Sequence, residues 1–145
     1  MTEVYKEKLE QGLQFQDFVT DIVFKELFLP ISTYQSQKYQ LKGENKQGIE
    51  IKFDNRFKDT SNLYIEVSEK SNANNVKFIK SGIYRHDNTW LYIIGNYSIL
   101  YIFGKNILKL MYESKKYKEV SIPTSNGFLI PEHDANKYAL KIINI

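Results

Sequence analysis

The chain contains no cysteine and only two histidines, and these absences exclude several kinds of site. Without cysteine there is neither a disulfide framework nor a thiolate zinc site. The two histidines, His86 and His133, are too few for a histidine-rich metal centre. Any metal that this protein binds is therefore held by oxygen ligands.

Glycine and proline are also scarce, with seven and three residues, whereas tyrosine and phenylalanine number eleven and nine. Hydrophobic residues make up 42% of the chain and charged residues 26%. This is the composition of a folded globular protein, and it excludes disordered and collagen-like classes. The length of 145 residues predicts a single domain over residues 1–145.

Long apolar runs are absent as well. No stretch approaches the ~18 apolar residues of a membrane helix, and the N-terminal segment lacks the apolar core of a secretion signal. We therefore expect a cytoplasmic protein with no membrane partner. The net charge of +3 is compatible with nucleic-acid binding and disfavours acidic mimicry of DNA.

The hydrophobic pattern predicts helices and strands in mixed order, an α/β (α+β mixed) fold class. A helix is expected over 3–29, with Gly12 as a point where it could break. Further along, the pattern predicts strands at 33–42, 48–54 and 63–70, a short helix from Ser81, a hairpin of 89–95 and 98–103, a helix over 106–116, a strand at 127–130 and a last helix from Pro131. Because the hairpin is almost entirely apolar, we expect it in the middle of a sheet covered by helices.

The segments 48–54 and 63–70 alternate apolar and polar residues with the period of a strand. If they pair as a hairpin, one face buries Ile49, Ile51, Phe53, Ile65 and Val67. The other face then carries Glu50, Lys52, Asp54, Glu66, Ser68 and Lys70. Crowded carboxylates repel one another and are neutralised by a hard cation such as Mg²⁺, so the pattern predicts a metal-dependent site that cleaves phosphodiesters. A solvated face of an antiparallel sheet gives the same alternation, and it is the commoner explanation of periodicity alone.

The order helix, strand, acidic strand, acidic strand with lysine, short helix, strand resembles the PD-(D/E)XK nuclease superfamily. Residues 43–44, 48–54, 65–71 and 81–83 look like the blocks of a small phage- and prophage-type group within it. The resemblance implies a restriction endonuclease-like core, in which helices flank a central mixed β-sheet. It also implies a DNA endonuclease that depends on Mg²⁺ or Mn²⁺ and is encoded by a phage or mobile element, acting in the host-cell cytoplasm.

Carried over residue by residue, the resemblance places the first acid of the family on Asp54 and the second on Glu66, with Glu50 as a third ligand or a supporting group. A strict Glu-x-Lys beginning at Glu66 meets Ser68 where lysine is expected. Either Lys70 or Lys52 is then left as the catalytic lysine. Glu50-Ile51-Lys52 is itself a Glu-x-Lys, so a register on the earlier strand remains open.

DNA is the expected partner, and a homodimer is a possible assembly. A basic cluster, which we expect to contact DNA phosphates, consists of Lys105, Lys109, Lys115, Lys116 and Lys118. Arg85 is a further candidate for a contact to backbone or base. The alternative function is a catalytically impaired nuclease-fold module, with the altered Glu-x-Ser motif, that binds nucleic acid or a protein partner. A third interpretation makes the charged strands a solvated surface or an oligomer edge.

Overall fold

The computed structural model describes residues 3–31 and 47–145, and in these ranges it is a mixed α/β fold. The helices are α1 (Glu3–Leu27), α2 (Phe57–Thr60), α3 (Lys105–Glu113) and α4 (Glu132–Tyr138), with a 3₁₀ helix at Gly82–Tyr84. The strands are β1 (Ile49–Phe53), β2 (Asn62–Glu69), β3 (Ile79–Lys80), β4 (Leu91–Gly95), β5 (Ile99–Gly104), β6 (Glu119–Ile122), β7 (Ser125–Pro131) and β8 (Lys141–Asn144). Within the described ranges no helix has the length and apolar character needed to cross a membrane.

The first sheet has the strand order β1-β4-β5-β8. Strand β1 runs parallel to β4, whereas β4 with β5 and β5 with β8 are antiparallel. The predicted apolar hairpin is confirmed as β4 and β5, and it lies in the middle of this sheet. One face of the sheet is covered by α1, which continues through Gly12 and buries Phe15, Val19 and Val23 at helical spacing.

The second sheet has the order β3-β2-β7-β6 and is antiparallel throughout. It packs on the face of the first sheet that α1 leaves uncovered. Leu63 and Ile65 of β2 and Phe128 of β7 belong to one buried cluster with Tyr101 and Phe103 of β5. Helices α3 and α4 add side chains to this cluster, so the main core lies between the two sheets.

The predicted hairpin of 48–54 with 63–70 is wrong. Both segments are strands, but β1 belongs to the first sheet and β2 to the second. Ile49 packs in the cluster under α1, whereas Ile65 and Val67 face the core between the sheets. Alternation with period two identifies a strand and its two faces, but it carries no information about the partner strand.

Smaller differences concern the ends of elements and single side chains. Strands β3, β6 and β8 and the short helix α2 were not expected, and the helix after Pro131 ends at Tyr138. Trp90, within the apolar run 89–95, is 59% exposed, and Leu110 of α3 is 62% exposed. The predicted strand at 33–42 and the block 43–44 lie outside the described residues.

Candidate active site

Glu50 and Lys52 lie on the face of β1 that is turned away from α1. The Lys52 ammonium nitrogen is 3.0 Å from Glu50 Oε1. Glu50 is only 1% exposed, and its other oxygen, Oε2, has no hydrogen-bond partner among the described residues. Because leaving a buried carboxylate oxygen without a partner is costly, this atom is the first candidate to bind a cation or a water molecule.

The charges around Lys52 keep its ammonium protonated. The Glu50 carboxylate raises the pKa of Lys52 above its ordinary value, burial acts against this, and Glu66 adds a further rise. Tyr92 of β4 is the register partner of Glu50. Burial raises the pKa of the Tyr92 phenol and the Glu50 carboxylate raises it further, so the hydroxyl remains a donor.

Glu66 of β2 is held by two buried serines. Its Oε1 accepts a hydrogen bond from Ser125 Oγ at 2.9 Å, and its Oε2 accepts one from Ser81 Oγ at 2.9 Å. Ser81 reaches this position because Gly82, with φ +55°, lets the chain approach β2 closely; a Cβ there would collide with the Glu66 carbonyl oxygen. The carboxylate of Glu66 is therefore fixed in orientation before any ligand binds.

Arg85 adds a second cation near the same groups. Its Nη2 is 3.4 Å from Glu69 Oε1. The Glu50 carboxylate is the main cause of the raised pKa of Lys52, and the Arg85 guanidinium lowers that pKa. The Arg85 charge is therefore within electrostatic reach of the Glu50–Lys52 pair. The contact of Arg85 with DNA backbone or base, expected from the sequence, stays a prediction.

A cavity of about 400 Å³ opens between α1 and β1. Its polar lining residues come from α1, from the edge of β1 and from the turn after it, namely Lys8, Gln11, Gln16, Glu50, Lys52 and Asn55. Two of these residues are positively charged, Glu50 is negatively charged and three are neutral. Leu9, Leu13, Ile51 and Phe53 line the same cavity, so its wall combines polar and apolar residues.

Asp54 does not join Glu50, although both were expected to hold the same cation. Its Oδ1 accepts the backbone N–H groups of Arg56 and Phe57, each at 3.1 Å, and its Oδ2 accepts that of Tyr64 at 2.9 Å. Asp54 is 8% exposed. The carboxylate thus stabilises the turn that leads from β1 through α2 into β2, and both of its oxygens are engaged.

Lys70 is also separated from Glu66, which it was expected to accompany. Strand β2 ends at Glu69, so Lys70 lies beyond the strand, where its backbone N–H donates to the Thr124 carbonyl. The Lys70 ammonium lies 4.8 Å from the centroid of the Phe78 ring. Of the two candidate lysines, the one that contacts a candidate acid is Lys52.

The predicted basic cluster does not form one surface. Lys105 is buried, with its ammonium 3.1 Å from Asp87 Oδ1, so its expected contact with DNA is wrong. Lys109 lies 5.4 Å from the Tyr84 ring centroid, and Lys115 lies 4.4 Å from that of Tyr112. Lys115, Lys116 and Lys118 are exposed, and the Lys115 ammonium lies 4.0 Å from Glu119 Oε2.

Several residues around the site were not singled out by the sequence. Tyr92 is one apolar-strand residue among many, and Ser125 has no motif around it. Asp87 and Lys105 are far apart in the chain, and no local pattern predicts their pairing. Ser81 alone had a signal, because it opens the block 81–83.

The described acids offer a small set of oxygen donors near Lys52. Among residues 3–31 and 47–145, no group of three or more acidic or histidine side chains could hold a metal. Glu50 and Glu66 are two carboxylates near one lysine, and Mg²⁺ commonly uses one or two carboxylates while it keeps several waters. Comparisons with family models, curated proteins and solved structures found no match to this chain.

Proposed function

We propose that this protein is a metal-dependent DNA endonuclease with a restriction endonuclease-like core, and that Glu50, Lys52 and Glu66 form its catalytic centre. The observation that carries the proposal is the buried Glu50 carboxylate, which contacts Lys52 and keeps one oxygen without a hydrogen-bond partner in residues 3–31 and 47–145. This favours the earlier of the two Glu-x-Lys registers. Asp54 is omitted from the centre because three backbone N–H groups bind its oxygens and hold it in the turn after β1, whereas each Glu66 oxygen accepts from a single hydroxyl.

Each residue has a role that follows from its surroundings. Glu50 and Glu66 would hold Mg²⁺ or Mn²⁺, which supplies charge neutralisation at the phosphate and a more acidic water. Lys52 remains protonated and stabilises the negative charge that develops on phosphate oxygens. The serines that bind Glu66 keep its carboxylate from rotating, so less reorganisation is needed when the substrate arrives.

The nucleic acid would be held mainly through its phosphates. Arg85 stands next to the centre and offers a planar fork of donors that matches a phosphate. Lys109, Lys115, Lys116 and Lys118 extend the positive charge along α3 and the segment after it. Lys8, which lines the same cavity as Lys52, adds a further cation.

A second candidate function is a nuclease-fold module that binds nucleic acid or a protein and does not cleave. One observation favours it: the described residues bring only two carboxylates to Lys52, and Asp54 is used for a turn. This candidate shares the phosphate-binding cations with the first. It differs in making no use of a divalent cation.

The test is a cleavage assay with purified protein on duplex, branched and single-stranded DNA, with Mg²⁺ or Mn²⁺ against a chelator. We expect metal-dependent cleavage that falls by at least about 100-fold in Glu50→Gln, Lys52→Met and Glu66→Gln. Lys70→Met and Glu113→Gln are matched controls that make the same changes outside the centre. Their cleavage should remain near that of the wild type.

Two outcomes would contradict the proposal. If Glu50→Gln or Lys52→Met folds normally and cleaves as fast as the wild type, the centre is elsewhere. If the wild type cleaves none of the three substrates with either metal but binds DNA, the module without cleavage is the better account.

A further inference from the structure

Lys105 occupies an unusual position for a charged residue. It is the first residue of α3, yet only 7% of it is exposed. Its ammonium donates to Asp87 Oδ1 at 3.1 Å and to the backbone carbonyl of Arg85 at 3.2 Å. Asp87 Oδ1 also accepts the N–H of Thr89 at 3.0 Å. The pair therefore ties together the segment from residue 85 to 89 from within the protein.

General physical chemistry disfavours a lysine at this place. The N-terminus of a helix carries a partial positive charge, so a cation in the first turn is repelled. The desolvation penalty of burying an ion pair is also about as large as the Coulombic attraction between its charges. Proteins in which apolar residues replace such a pair are often as stable as the original. Stability alone is therefore a weak reason for the Lys105–Asp87 pair, and a role in placing a neighbour accounts for it better.

The neighbour that the pair places is Arg85. The N–H of Arg85 donates to the Gly82 carbonyl at 3.2 Å, and its own carbonyl accepts from Lys105. Both backbone groups of Arg85 are thus fixed. Its side chain is 23% exposed and leans toward Glu69, at the edge of the centre that contains Lys52. A long side chain on a fixed backbone loses less freedom when it binds a phosphate.

We infer that the buried Lys105–Asp87 pair is a positioning device, which holds Arg85 where its guanidinium contacts a phosphate of bound DNA beside Lys52. The inference rests on the proposed function, because it requires a nucleic-acid ligand at this centre. Lys105 itself touches no phosphate and acts only through Arg85. Its contribution to DNA binding therefore disappears when Arg85 is absent.

The experiment measures the affinity for a short fluorescein-labelled DNA duplex by anisotropy, in chelator and over a range of salt concentrations. Replacing Lys105 alone leaves Asp87 buried and unpaired, so the double variant Lys105→Met/Asp87→Asn is used. We expect Arg85→Ala to lower the magnitude of the log–log salt slope by about 0.9, the value for one phosphate contact. The double variant should lower it equally, and the triple variant with Arg85→Ala should lower it no further.

A matched control makes the same two changes in an exposed ion pair of α1, Lys25→Met/Asp21→Asn, where the charges are 3.0 Å apart. Its slope should equal that of the wild type. Lys105→Arg keeps the charge and the donors, so it should retain most of the salt slope that the double variant loses. Should the double variant fail to fold, Asp87→Glu, which shifts the ammonium by one methylene, is measured in its place.

The outcomes separate this inference from the proposed function. If the folded double variant has the same salt slope as the wild type, the positioning role is overturned. The same holds for Asp87→Glu where that variant is used. The positioning role is also overturned if the triple variant loses more of the salt slope than Arg85→Ala alone, because Lys105 would then act independently of Arg85. A wild-type protein that binds no DNA at all overturns the proposed function and the inference with it.

Discussion

At the scale of single residues, the chemistry of an acid depends on which of its oxygens remain open. Glu50 and Asp54 are both buried and lie four positions apart. Asp54 accepts three backbone N–H groups, whereas Glu50 keeps one oxygen without a hydrogen-bond partner among the described residues. The first arrangement stabilises a turn, and the second leaves an oxygen that a cation could use.

We predict that Asp54→Ala lowers the free energy of unfolding by roughly 2–4 kcal/mol, because it removes a charged acceptor from three donors. Asp54→Asn should cost less, since its amide oxygen can still accept from Arg56 and Phe57. Urea unfolding followed by circular dichroism measures both. The exposed Asp59→Ala is the control, with an expected change within about 0.5 kcal/mol. An unchanged unfolding midpoint with lost cleavage would instead support a ligand role for Asp54.

The sequence was informative about residues whose role is local. It marked Glu50, Lys52 and Glu66 as charged positions on strands, and it left the Glu50-Ile51-Lys52 register open. It could not indicate that Lys105 is buried, because the partner that permits this, Asp87, lies 18 positions away. It could not reveal the bulge after Glu66 either, since a bulge depends on the facing strand.

At the scale of elements, the hydrophobic pattern located most helices and strands but paired one strand wrongly. The hairpin of β4 and β5 was found because its two apolar runs are joined by a short turn, which leaves little choice of partner. Strands β1 and β2 are separated by α2 and by the turn that Asp54 stabilises. That connection carries the chain from one sheet to the other, and nothing in the alternation of either strand indicates it.

The contact between the 3₁₀ helix and β2 depends on a single glycine. Gly82 has φ +55°, and a Cβ there would overlap the backbone of Glu66. We predict that Gly82→Ala lowers the free energy of unfolding by roughly 2–4 kcal/mol, from backbone strain and from steric displacement. It should also reduce cleavage per folded molecule, because Ser81 would move away from Glu66.

Gly12→Ala is the matched control for this substitution. Gly12 lies within α1, and a Cβ there would meet no atom within 4 Å. The same change should therefore stabilise the protein by about 1 kcal/mol, the difference in helix propensity between the two residues. Equal effects of the two substitutions on urea unfolding would contradict the proposed role of Gly82.

At the scale of the whole molecule, the two sheets and α1 form three layers, and the proposed centre combines Glu50 and Lys52 of the first sheet with Glu66 of the second. The main core between the sheets is rich in aromatic residues, several of which direct a hydroxyl to a polar partner near the surface. Tyr84 donates to Glu113 at 2.8 Å, and Tyr117 donates to Asp134 at 2.6 Å. The titration of these phenols is therefore linked to folding.

We predict that the protein loses stability at alkaline pH. Burial is the largest cause of a raised pKa in Tyr64, Tyr84, Tyr92, Tyr101, Tyr112 and Tyr117. In the unfolded chain these phenols ionise near their ordinary value of 10.0, whereas the folded protein retains their protons. Their contribution to the free energy of unfolding is thus fully present below about pH 10, and it is lost as the pH rises through the folded pKa values.

The free energy of unfolding, measured with urea at a series of pH values, should be level from neutral pH to about 10 and then fall. Difference absorbance of the tyrosines should show a group that ionises only as the protein unfolds. In Tyr117→Phe the decline above pH 10 should be shallower, because one retained proton is removed, although stability at neutral pH falls with the loss of the bond to Asp134. Complete ionisation of all eleven tyrosines near pH 10 in the folded protein would contradict this linkage.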